Sequence, residues 1–218
     1  MNVVVLASGR GSNLRAVLEA AEAGRCAVSV TAVVSDRESA AALELAQARG
    51  IDTRVVSPKG YRDRAAWDEA LAHLVQSFEP RLVVLAGFMR IVGPAMLAAF
   101  PGRIINVHPA LLPAFPGMDA PLQAVRARVS LSGCTVHIVD AGVDTGPILA
   151  QAAVPILPED DAESLHARIQ GAEHRLLPGV LDAIARGLFE LGDTPRFVGP
   201  CPSDDAILAW PPVLPSAP

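Results

Sequence analysis

The sequence predicts an α/β protein: a doubly wound, mostly parallel sheet flanked by helices, becoming mixed or antiparallel in its C-terminal part. Short uninterrupted apolar runs, Val3-Val-Val-Leu-Ala7 and Leu82–Ala86, read as strands buried on both faces. Such runs alternate along the chain with segments of helical spacing, the pattern of parallel strands joined through helices. Two later strand-like runs, Ser132–Val139 and Ile148–Val154, are separated only by Asp140-Ala-Gly-Val-Asp-Thr-Gly-Pro147. A loop of that length most simply closes an antiparallel hairpin.

Val3–Ala7 leads through Ser8-Gly-Arg-Gly-Ser-Asn13 into Leu14–Ala23, where Leu14, Val17 and Leu18 have helical spacing and Gly24 marks the end. A strand, a glycine-bearing turn and a helix N-terminus together aim free N–H groups and a positive dipole end at an anion. Leu14 stands where a dinucleotide fingerprint needs its third glycine, and no Gly-Lys-Ser/Thr follows. A phosphate monoester therefore suits the turn better than a dinucleotide, although an ordinary βα turn reads the same way.

Val28–Val34 reads as the second strand, Ser39–Arg49 as an alanine-rich helix ending at Gly50, and Thr53–Val56 as a short third strand. Arg62–Phe78 is a long amphipathic helix with Trp67, Leu71, Leu74 and Phe78 at core-facing spacing. After Leu82–Ala86 comes Gly87-Phe-Met-Arg-Ile-Val-Gly-Pro94, either a plain apolar loop or the lining of a flat pocket whose peptide groups read a heterocycle.

Arg103–Val107, entered from Pro101-Gly102, is the next strand. Side chains two apart on a strand share a face, so Asn106 and His108 project together at its carboxyl end, where open α/β sheets bind ligands. An amide can hold a developing oxyanion and an imidazole can move a proton near neutral pH. Pro109 biases His108 towards extended backbone and stiffens the turn beyond.

Pro121–Arg128 has helical character. His137, inside Thr135-Val-His-Ile-Val139, reads as a half-buried structural histidine, and the carboxylates Asp140 and Asp144 as turn formers. Asp161–Arg186 is a long closing helix carrying Ser164, His166, Gln170 and Glu173. Pro178 would kink or break it, and Glu173 and His174 would be exposed. Beyond Gly192 the chain is proline-rich, which predicts an extended, partly ordered tail.

With 218 residues, 51% of them hydrophobic, the chain can bury one substantial core. A net charge of −5 argues against bulk nucleic-acid affinity, leaving local spots such as Arg62 and Arg64 as anion contacts. The three cysteines are scattered and lack metal spacing, as expected of reduced thiols in the cytoplasm. The apolar start is too short for a signal peptide or a membrane span.

Four stretches, Ser8-Gly-Arg-Gly-Ser-Asn-Leu14, Val83-Val-Leu-Ala-Gly-Phe-Met-Arg-Ile91, Asn106-Val-His-Pro-Ala-Leu-Leu-Pro113 and Gly142-Val-Asp-Thr-Gly-Pro-Ile148, occur in one order along the chain. Together they resemble the folate-dependent phosphoribosylglycinamide formyltransferases of purine synthesis. The resemblance implies a formyltransferase domain over 1–190, with a phosphate-binding N-terminal half and a folate-binding C-terminal half, and a proline-rich tail over 191–218. It implies Asn106, His108 and Asp144 as the catalytic group, Asp144 beside His108 favouring its charged form. It implies Gly11, Ser12, Asn13, Gln170 and Glu173 as contacts to the phosphoribosyl substrate. The folate side would be Arg64, the backbone of Met89, Arg90, Ile91 and Val92, Asn106, and the loop Asp140, Ala141, Gly142, Val143 and Asp144. 10-Formyltetrahydrofolate would be the co-substrate, with no metal, no nucleic acid and no membrane partner, and with room for a homodimer.

Relatives often carry histidine near the positions of Asp119 and Pro121, and Ser and Lys at those of Ala110 and Ala114. A formyltransferase acting on another amine, such as an amino sugar, shares the same Asn/His/Asp group. A formyltetrahydrofolate hydrolase would carry a regulatory domain ahead of the first strand, and a methionyl-tRNA formyltransferase a further RNA-contacting domain. A non-catalytic nucleotide-binding module would leave Asn106, His108 and Asp144 apart in space.

Overall fold

Apolar runs that cannot face water on either side must lie inside a sheet covered by helices, and the strands do so. The structure, a computed structural model, describes residues 1–192 and 194–200, and the backbone of 209–210. The strands are β1 (Asn2–Leu6), β2 (Ser29–Ser35), β3 (Asp52–Val55), β4 (Leu82–Leu85), β5 (Ile104–His108), β6 (Leu131–Ile138), β7 (Ile148–Pro155), β8 (Phe189–Glu190), β9 (Arg196–Phe197) and β10 (Ala209–Trp210). The helices are α1 (Ser12–Glu22), α2 (Ala41–Gln47), α3 (Arg64–Gln76), α4 (Pro94–Ala99), α5 (Ala120–Ala127) and α6 (Ala162–Ala185).

The main sheet has eight strands in the order β10-β7-β6-β5-β4-β1-β2-β3. Pairing is parallel from β3 to β5 and antiparallel from β5 through β6 and β7 to β10, so the sheet is mixed where the hairpin loop foretells it. The chain winds outward from β1 in both directions, which makes the gap between the carboxyl ends of β1 and β4 the topological switch point.

One face of the sheet is covered by α1, α2 and α6, the other by α3 and α4. Helix α6 runs 24 residues and continues through Pro178. A mid-helix proline costs about 3 kcal/mol. Leu165, Ile169, Leu176, Leu177, Val180 and Leu181 are fully buried on the sheet side, at about 1.5–3 kcal/mol each, and outweigh that cost. Pro178 therefore does not break the helix, and the expectation of a break is corrected.

Helix α4 lies where no periodic pattern announces one. Pro94 starts it, and its first N–H groups are satisfied by Asp68 of α3 rather than by a local cap. β8, just before the proline-rich stretch, pairs with β9 inside it as a small separate sheet, and the backbone of β10 adds to the edge of β7. The rest of the expected tail lies outside the described residues.

Candidate active site

The side chains at the carboxyl end of β5 are set by strand alternation. Val107 points into the core, so Asn106 and His108 face the opposite side. The antiparallel β6 places His137 directly across from Asn106 and Thr135 across from His108. The β6–β7 loop then returns over this end and delivers Asp144, a non-glycine residue with a positive φ of 55°. Phe115 and Asp119, both with φ of 56°, bound the same place. Left-handed backbone at such residues is strained and gathers where geometry serves function.

The Asp144 carboxylate sits 3.3 Å from His108 Nδ1 and 3.6 Å from His137 Nε2, and it accepts a 2.8 Å hydrogen bond from the Gly117 N–H. Burial alone would raise its pKa. The hydrogen bonds from His137 and Gly117, with the two imidazoles nearby, outweigh that and hold it below the ordinary carboxylate range. His108 Nε2 donates to the Phe115 carbonyl at 2.8 Å. Both ring nitrogens of His108 therefore face acceptors, an arrangement matched by the imidazolium, which donates from both.

His137 Nδ1 donates to the Ile138 carbonyl at 2.9 Å, and its Nε2 lies 3.2 Å from Asn106 Nδ2 and 3.6 Å from the Asp144 carboxylate. Among the described residues the second N–H of Asn106 has no partner and is open to a ligand. His137 is only 2% exposed, so the half-buried structural reading is corrected: the ring is fully buried, and its tip orients the amide. The cue that identifies it is strand register, which its own local sequence does not carry.

These groups line one cavity of about 430 Å³. Its apolar side is the segment from Leu85 to Val92, with Met89 and Ile91 more than half exposed at the mouth. Asp140, Gly142, Val143 and Asp144 line it as well, as do Met118, Asp119 and Pro121. Of the expected folate-side residues, Met89, Arg90, Ile91, Val92, Asn106, Asp140, Gly142, Val143 and Asp144 line it. Arg64 and Ala141 are not among the lining residues: Arg64 donates to the Ile91 carbonyl of the pocket loop at 2.6 Å, and Ala141 is exposed in the β6–β7 loop. The side chain of Arg90 turns away to pair with buried Asp36 at 2.8 Å, leaving its backbone for the pocket. His166 of α6 also lines the cavity. It shares a helical face with Gln170 and Glu173, a spacing visible in the sequence.

The turn after β1 lies beside this cavity: the Ser8 N–H donates to the Gly87 carbonyl, and Ser8 Oγ accepts from the Met89 N–H. Gly11 enters α1 with φ 74°, and a Cβ there would come 2.9 Å from Ala42. The first N–H groups of α1, from Ser12 onward, have no intrahelical partner. Glu173 is 4% exposed, which corrects the surface placement, and it accepts from Asn13 Nδ2 at 2.9 Å. Burial pushes its carboxyl up to about 7, against the opposing Asn13 hydrogen bond. Asn13 Oδ1 is buried and unpartnered among the described residues. Gln170 lies half-buried one turn before Glu173 on α6.

Gly11→Ala should therefore lose about 1–3 kcal/mol of stability through its left-handed backbone and the Ala42 contact. Denaturant unfolding of the variant beside the wild type measures it, and an unchanged midpoint would contradict the turn geometry.

A profile of the family described as Formyl transferase matches residues 1–181. The phosphoribosylglycinamide formyltransferase of Mycobacterium tuberculosis H37Rv is 49% identical over 193 residues, which are 88% of this chain and 89% of that one. The trifunctional purine biosynthetic protein adenosine-3 of Bos taurus is 40% identical over 194 residues, 89% of this chain but only 19% of that much longer protein. Among solved structures, glycinamide ribonucleotide transformylase 1 from Symbiobacterium toebii superposes with a TM-score of 0.88 at 46% identity. The match covers 91% of this chain and 94% of that one.

Proposed function

The chain belongs to the formyl transferase family, and on that premise we propose that it transfers the formyl group of 10-formyltetrahydrofolate to the amine of 5′-phosphoribosylglycinamide, a step of de novo purine synthesis. The observation that carries this reading is the convergence of Asn106, His108 and Asp144 in one cavity, adjoining a glycine turn suited to a phosphate.

The substrate amine attacks the formyl carbon directly, so a C–N bond forms while the carbonyl oxygen gains negative charge. The free N–H of Asn106 and the imidazolium of His108 meet that charge, an effect worth about 3–4 kcal/mol per well-placed donor. Asp144, 3.3 Å from Nδ1, orients the ring and sets a negative charge beside it. As the bond to the folate nitrogen breaks, that nitrogen takes up a proton and the product amide nitrogen gives one up. For the His108 proton to reach the substrate, its Nε2–H bond to Phe115 must be exchanged for one to the formyl oxygen, which makes the 115–117 turn part of the chemistry. Holding the two substrates in line supplies much of the remaining acceleration.

On this reading the flat apolar lining from Phe88 to Val92 takes the folate heterocycle, with Arg64 and the 140–144 loop on the same side. Gly11, Ser12 and Asn13 take the phosphate, while Gln170, Glu173 and the free Asn13 Oδ1 take the glycinamide end. Residues 1–190 are then the catalytic unit, in a cytoplasmic enzyme acting on two small molecules without a metal, alone or as a homodimer. Among the described residues no helix is long and apolar enough to cross a membrane.

The test combines purified protein, 10-formyltetrahydrofolate and either phosphoribosylglycinamide or its dephosphorylated analogue. Formyl transfer to the phosphorylated acceptor, with kcat/KM lower by about a hundredfold or more for the analogue, is expected. No transfer by folded protein would remove the reading, and equal use of both acceptors would remove the anion site.

A further inference from the structure

The pocket loop over residues 88–92 is apolar and lacks regular secondary structure, yet it must hold a flat surface. Its own sequence offers little to fix it. Side chains from three other elements hold it instead. Ser8 takes the Met89 N–H at 2.8 Å, Asp36 pairs with Arg90, and Arg64 reaches the Ile91 carbonyl. The fourth anchor is Asp68, one helical turn after Arg64 on the same face of α3.

Asp68 is 2% exposed and absent from the cavity lining. Its carboxylate accepts from the Gly93 N–H at 2.6 Å, from Ala95 at 2.7 Å and from Met96 at 3.3 Å. These N–H groups begin α4 immediately after the pocket loop. Gly93 is shaped to this contact, since a Cβ there would stand 2.6 Å from the carboxylate. A buried carboxylate that receives several N–H bonds holds its partners more tightly than neutral groups do. The downstream end of the loop thus has one position, fixed from a neighbouring helix.

We propose that Asp68 is a positioning residue for the formyl donor, setting the 88–92 loop at the height where it accepts the heterocycle. The inference rests on the reading of this cavity as the folate site. A cap that served only the stability of α4 would lower the melting temperature and disturb both substrates alike. A positioning residue acts on the donor.

The experiment is steady-state kinetics of Asp68→Asn and Gly93→Ala with each substrate varied in turn, alongside melting temperatures and direct calorimetric binding of 10-formyltetrahydrofolate. The Asn amide places an N–H₂ against backbone N–H groups, and the added methyl in Gly93→Ala displaces the carboxylate. For each folded variant, donor KM and Kd should rise by about tenfold, with acceptor KM and kcat at saturating donor within about twofold. If Asp68→Asn does not fold, Gly93→Ala decides. Unchanged donor affinity, or equal rises in both KM values, would overturn the proposal. If the wild type transfers formyl normally, such a result counts against the role of Asp68 alone, whereas a wild type inactive in transfer would defeat the assignment of the pocket.

Discussion

Replacing His108 with alanine, or Asp144 with asparagine, should lower kcat by about 10²–10⁴-fold while the phosphoribosyl substrate binds almost as before. The reason lies in where the two side chains sit. His108 is 4% exposed, with acceptors at both ring nitrogens, and Asp144 is one of those acceptors. Asparagine at 144 still fits the space and can still accept from the Gly117 N–H. It removes the negative charge that faces two imidazoles. The phosphate and glycinamide contacts assigned to Ser12, Asn13 and Glu173 lie outside this cavity lining and are left intact. Rapid-mixing kinetics beside equilibrium binding of the acceptor separates the two quantities. A parallel loss of binding and turnover would contradict the division of roles.

Glu173→Gln should stabilise the protein at high pH and leave it nearly unchanged at low pH. The carboxyl has a pKa of about 7 in the folded protein, against an ordinary value of 4.5, because burial penalises the charged form. Between those values the folded state holds a proton that the unfolded chain has lost, so stability falls as pH rises through the window. Above the folded pKa the accumulated penalty is about 3 kcal/mol. Gln keeps an oxygen for the Asn13 N–H and carries no charge to bury. Denaturant unfolding at about pH 4 and about pH 8 should show the variant gaining roughly 3 kcal/mol over the wild type between the two conditions. A pH-independent difference would mean that Glu173 is not buried as an acid. The same substitution should weaken acceptor binding above neutral pH, where an ionised carboxylate would otherwise meet the substrate amine.

How much of this was legible in the chain depends on the distance over which each feature is encoded. The central strands announce themselves because Val3–Leu6 and Leu82–Leu85 are apolar on both faces. Asn106 and His108 are two apart on one strand, so their shared face follows from the pleat. Their meeting with Asp144 was implied by family likeness, not by spacing, and the coordinates bring the three groups together. His137 was misread because its partner is set by the β5–β6 register, and a slip of one residue would have turned it to the other face. Glu173 was misread because a polar residue on a helix is usually solvated, and only the packing of α6 against α1 buries it next to Asn13. Helix α4 escaped notice because it is six residues long and takes its cap from Asp68, 25 residues earlier. In each case the missing information was a tertiary contact.

The proposed mechanism requires Asn106, His108 and Asp144 to act as one device on one carbonyl. The most direct measurement is kcat of the double variant His108→Ala/Asp144→Asn beside the two single variants. Groups that work as a unit lose their effect together, so the double variant should be no more than about threefold slower than the slower single one. A double variant slowed by the full product of the two single losses would show that His108 and Asp144 act independently, and the mechanism derived from their geometry would be wrong.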